Sequence, residues 1–191
     1  MQELSAAELS GHAEAVSEVC RRALNSPTVQ SDPDKVFHFG IKLAAVLLAH
    51  DEPVSPQEVD EGISVMQKML ELISREDRPN FWARIHLQLG AAFIRRVQGN
   101  EKQNIQSAIL HYESALLVLR SNHSPSEWAL AKVSAGEAYW RLDGDSERIA
   151  AIACIEDALT VFTQERFPDE YKDYSEELRF WREKVSKRGQ L

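Results

Sequence analysis

The chain has 191 residues, of which 43% are hydrophobic and 27% charged, with only 8 glycines and 7 prolines. That balance excludes disordered, collagen-like and linker-rich classes, and the length suffices to bury about 70% of the unfolded surface without a metal or a disulfide. There are 22 basic and 30 acidic residues, for a net charge of −8, and no segment gathers a Lys/Arg stripe, so nucleic acid is not an expected partner.

From the amino terminus, Met1 to Ser10 carries Glu3 and Glu8 where a secretory signal would be basic and then apolar. Ser5-Ala6-Ala7-Glu8 instead opens a leading helix over 4–24, ended by the Asn25-Ser26-Pro27 break. A helix pair is expected at 33–50 and 55–75. Asp32-Pro33 starts its first member and Ser55-Pro56-Gln57-Glu58 its second, with a serine cap, a first-turn proline and a glutamate that closes a capping box. The longest apolar stretch, Ile41 to Ala49, is broken by Lys42 and is far short of the roughly 20 residues of a membrane span. No membrane association is expected, and the expected compartment is the cytoplasm. Further pairs follow at 79–98 with 101–121 and at 125–142 with 146–165, the last opened by Ser124-Pro125-Ser126-Glu127. A final helix covers 168–187, and no β pattern competes anywhere.

These pairs repeat. Pro79-Asn80-Phe81-Trp82-Ala83 recurs as Pro125-Ser126-Glu127-Trp128-Ala129, 46 residues later. The same shift sets Gly90 on Gly136, Phe93 on Tyr139 and Arg95 on Arg141. The second helices align at 43, where Ser107 to Leu116 matches Ala150 to Leu159. Going back by 46, Pro33 meets Pro79, Ala44 meets Gly90, and Gly62 to Met66 overlies Ala108 to Tyr112. Stacked units that bury one another's apolar faces make a short solenoid whose ends need covering, here by the leading and final helices.

Leu89-Gly90 with Phe93, Ala108, Tyr112 and Ala115, and Ala135-Gly136 with Tyr139, Ala151, Ile155 and Ala158, resemble the tetratricopeptide (TPR) pattern. Pro-x-x-Trp-Ala at each opening, with Gly99, Asn104-Ile105 and Ala108-Ile109, is similar to the longer-loop repeats of bacterial proteins that carry CHAT protease domains. The chain departs from that pattern at Ala44 and at Asp51 to Pro53, and no protease domain is expected after its last repeat. The resemblance implies an all-α, right-handed helical-hairpin solenoid. It would form one domain over 1–191: leading helix 4–24, divergent repeat 33–75, repeats 79–121 and 125–165, and capping helix 168–187.

Catalytic machinery is not legible. The six histidines, at 12, 38, 50, 86, 111 and 123, lack the two-turn spacing and adjacent glutamate of a zinc hydrolase, so neither a metal nor another cofactor is expected. Cys20 and Cys154 sit among Ala and Val and read as small buried hydrophobes. Neighbouring carboxylates such as Glu156-Asp157 and Glu176-Glu177 diverge by about 100° on a helix and read as solvated faces.

The resemblance places the binding groove on the first helix of each pair. In the Gly90 register its positions are His38, Ile41, Ala45 and Leu48; Arg84, Leu87, Ala91, Ile94 and Arg95; Leu130, Val133, Glu137, Trp140 and Arg141; and Asp173, Glu176, Phe180 and Lys184. The Lys and Asn positions of the chaperone-tail clamp are held by Leu87, Ala91, Val133 and Glu137, which disfavours that ligand. Trp140 with Arg95 and Arg141 has the residue types that dominate interface energies, while Trp140 has packing against the final helix, at Phe180 or Trp181, as its alternative. Trp82 and Trp128 read as packing between units. The expected function is a non-catalytic module that holds another protein or peptide, including one with an acidic segment. The alternative is a self-assembling structural protein or homodimer.

Overall fold

The computed structural model describes residues 6–47, 55–120 and 123–188. Among these residues there are nine helices and no strand. They are α1 (Ala6–Leu24), α2 (Pro27–Gln30), α3 (Pro33–Leu47), α4 (Pro56–Leu72), α5 (Pro79–Arg95), α6 (Glu101–Leu116), α7 (Pro125–Arg141), α8 (Asp145–Leu159) and α9 (Pro168–Arg188). α3 with α4, α5 with α6 and α7 with α8 form antiparallel hairpins stacked in chain order, with α1 against α3 and α9 against α8. The molecule is an all-α helical-hairpin solenoid, and no described helix is long and apolar enough to cross a membrane.

Local chemistry starts most helices. Ser55 and Glu58 form the expected capping box on α4, and Asp32 Oδ1 accepts from the Asp34 and Lys35 amides at 3.1 and 3.3 Å at the head of α3. Ser124 does not act in this way: its φ of −135° and ψ of 65° turn the hydroxyl away, and it makes no capping bond. Arg78, its counterpart before α5, has nearly the same backbone at −137° and 63°. The turn between units thus imposes one geometry on both positions, and the serine motif yields to it. The turns within the second and third hairpins use a left-handed residue, Gly99 at φ 82° and Asp143 at φ 61°, aspartate being one of the few side chains that tolerate that region.

Several helices end sooner than periodicity alone suggests: α4 at Leu72, α5 at Arg95, α6 at Leu116 and α8 at Leu159. The apolar signal continues because Leu119, Val161 and Phe162 are buried in the turns beyond those ends. The Asn25-Ser26-Pro27 break contains the one-turn helix α2. Ser5, Leu48 and the turn from Asp51 to Pro53 lie outside the described residues.

Small residues set the hairpin spacing. A Cβ on Gly90 would lie 2.5 Å from Tyr112 Cε1, and one on Gly136 would lie 3.2 Å from the Ala151 carbonyl oxygen. In the first hairpin the close approach is at Gly40, against Met69 Sδ at 2.6 Å, one turn before the aligned Ala44. The largest buried cluster runs from Phe37 through α4, α5 and α6 to Ala138 on α7, and a second joins α7 and α8 to Leu178 and Trp181 of α9. Cys20 is buried against Leu43 and Leu47, and Cys154 is buried as well.

Candidate interaction surface

Residues seven and then four positions apart share one helix face. On α5 these are Arg84, Ala91 and Arg95, on α7 Leu130, Glu137 and Arg141, and on α9 Asp173, Phe180 and Lys184. Ala91 and Arg95 are half-buried and the other seven are exposed, as are Glu176 on α9 and, on α3, His38 and Ala45. Leu130 and Phe180 keep about half of their surface in solvent, 49% and 50%. The first helices thus carry a register of mixed charged and apolar side chains. Glu137 is exposed on this face, and the protein beside it raises its carboxyl above the ordinary value by desolvation.

Other residues of the sequence-based groove are packed inward. Leu87 and Ile94 are half-buried against the main core cluster, and Val133 is buried in the second. They alternate with the exposed row because the helix turns them toward the next unit. Trp140 also leaves the open surface: its ring stacks on Trp181 at 4.7 Å with planes 4° apart. The buried Arg148 guanidinium lies over the same ring at 5.4 Å and forms an ion pair with Asp143 in the α7–α8 turn. Trp140 is therefore committed to holding α9 and that turn together. Trp128 joins the clusters on both sides of α7, and Trp82 packs on His86 at 4.0 Å.

Arg95 and Arg141 are brought to one place. Both line a pocket of about 320 Å³ at the tip of the second hairpin, with Phe93, Arg96, Gly99, Glu101, Asn104 and Ile105. Arg141 Nη2 meets Glu101 Oε1 at 3.2 Å, so its ionic partner is on α6 rather than Glu137 or the final helix. Arg96 Nε holds Asp60 of α4 at 2.6 Å.

Sequence reasoning missed a histidine pair, one member buried and the other half-buried. His86 on α5 and His111 on α6 have their Nδ1 atoms 2.9 Å apart, so one ring donates its proton to the other. Trp82 flanks His86, and Phe93 stacks on His111 at 5.4 Å. Desolvation, then the neighbouring His111, pushes His86 down to about 4, and desolvation lowers His111 as well. A sequence separation of 25 residues hides the pair; only the antiparallel register of α5 and α6 brings the rings together.

Fold and surface together define a helical-hairpin solenoid with an exposed first-helix face. No protein-family model matches the chain, and comparison with curated proteins and with solved structures finds no match.

Proposed function

We propose that this protein is a non-catalytic interaction module of the TPR-like kind, which holds a segment of another protein along its first-helix face as an adaptor or regulator. What carries the reading is the equivalence of position: Arg84 and Leu130, Ala91 and Glu137, Arg95 and Arg141 occupy matching places on consecutive first helices. Stacking turns matching places into neighbouring rungs, which is how repeat proteins build extended binding surfaces. Exposed apolar anchors at Leu130 and Phe180 between arginines and carboxylates suit a segment that is itself amphipathic.

The test is site-specific photo-crosslinking in the native host. A crosslinker at position 84, 130 or 180 should capture one defined heterologous protein, and one at exposed Leu110 or Ile149 on the second helices should not. Capture from the second helices alone would place the partner on the other face and refute the proposal. Crosslinks only to a second copy of the chain would establish the self-assembling alternative.

A further inference from the structure

We propose that the pocket at the tip of the second hairpin is a subsite for a carboxylate carried beside an apolar side chain in the partner segment; this rests on the reading that a partner lies along the first-helix face. The pocket floor is apolar, formed by the buried rings and branches of Phe93 and Ile105. Its wall is built in advance of any ligand: the Asn104 side-chain amide donates to the carbonyls of Arg96 at 3.1 Å and Gln98 at 2.9 Å. That pins the turn whose left-handed residue is Gly99. Arg95, Arg96 and Arg141 also line the pocket. A planar guanidinium fork matches the geometry of a carboxylate, and an apolar floor beside it favours a hydrophobic neighbour over a bare ion.

The chain already places one carboxylate at this pocket. Glu101 holds Arg141 while its own side chain is 79% exposed. Exposed pairs of this kind are weak, because solvent screens them and two long side chains must be ordered. Glu101 therefore acts as an internal occupant that an incoming carboxylate displaces, while Asp60 keeps Arg96 fixed from the α4 side. The subsite lies where α5 and α7 end on the exposed row, so a segment running along the row reaches it at Arg95 and Arg141.

The test titrates the full chain with N-acetyl-leucyl-glutamate amide and follows backbone amide resonances, which needs no knowledge of the partner. Saturable shifts confined to Gly99, Asn104, Ile105 and their neighbours are expected, with little response to the Leu-Gln or Gly-Glu analogues. Arg141→Gln should weaken binding about fivefold or more, and Glu101→Gln should tighten it about two- to threefold, as loss of a weak internal pair requires. Glu71→Gln, the same charge change at an exposed site on α4, should leave it unaltered. Equal tightening by Glu71→Gln, shifts elsewhere on the molecule, or an equal response to inorganic phosphate would each overturn the proposal. Saturable binding here, with crosslinking only from the second helices, would sustain the subsite while refuting the first-helix reading.

Discussion

The second and third hairpins share one scaffold and fill it with different chemistry. In both, a tryptophan opens the first helix and a glycine marks the closest approach of the second, at Gly90 and Gly136. Between these fixed points, His86 and His111 of the second hairpin are replaced by Lys132 and Cys154 in the third. Trp82 packs on a buried, neutral imidazole. Trp128 lies 5.6 Å from the Lys132 ammonium, which also bonds Asp157 at 2.8 Å. The glycine contact and the Trp wedge set helix spacing, and the slot between them holds a neutral imidazole pair in one hairpin and a paired ammonium in the other. One hairpin is thus sensitive to protons where the other is held by charge.

Leucine at either glycine should be the most damaging change, at about 3 kcal/mol or more, since neither hairpin can widen without breaking its neighbours' packing. Urea unfolding of Gly90→Leu and Gly136→Leu checks this, and a wild-type midpoint for either would break the shared register. Next comes pH. The folded state holds His86 near 4 against an ordinary 6.5, so the unfolded chain binds more protons between those values. Stability from the pair is complete above pH 6.5 and declines as pH falls toward 4, by up to about 3 kcal/mol. The third hairpin has no imidazole in that slot, and burial raises the Cys154 thiol, so it stays neutral throughout that window. Unfolding free energies at pH 7 and 4.5 should therefore differ less in the double variant His86→Leu/His111→Leu than in wild type.

Alanine separates the two glycines more finely. At Gly90 it collides with the ring of buried Tyr112 and should cost about 1 to 2 kcal/mol. At Gly136 its neighbours need give only a few tenths of an ångström, and the helix preference for alanine, about 1 kcal/mol, offsets the strain. Thermal melts of the two single variants should rank in that order. The smallest contrast is at the caps: Ser55→Ala should lose about 1 kcal/mol and Ser124→Ala almost nothing, although both begin Ser-Pro-x-Glu.

The same contrasts explain what could be read from the residues alone. The 46-residue shift located α5 and α7 to within a few residues, because Pro, Trp, Gly and an aromatic recur where packing demands each. The first hairpin was harder: Ala44 fits the repeat, yet the close approach moved one turn back to Gly40, where Met69 has room to lie. Of the residues expected in the groove, Arg84, Glu137, Arg141, Asp173 and Glu176 are exposed and Arg95 is half-buried. Leu87, Ile94 and Trp140 turn into contacts between units. Periodicity assigns a residue to a side of its helix; whether the next unit covers that side depends on the stacking angle, which no local pattern encodes. The histidine pair and the arginine pocket belong to this second kind of information.

Among the described residues, every substantial contact joins elements that are adjacent or once removed in the chain, from α1 on α3 to α8 on α9. Contacts this local form without long loops being closed first, so the entropic barrier to folding is low and each hairpin can serve as a nucleus. The same locality divides the structure into units that open separately. Amide hydrogens of α1 and of the far end of α9, covered on one side only, should exchange before those of α5, α6 and α7, which have neighbours on both.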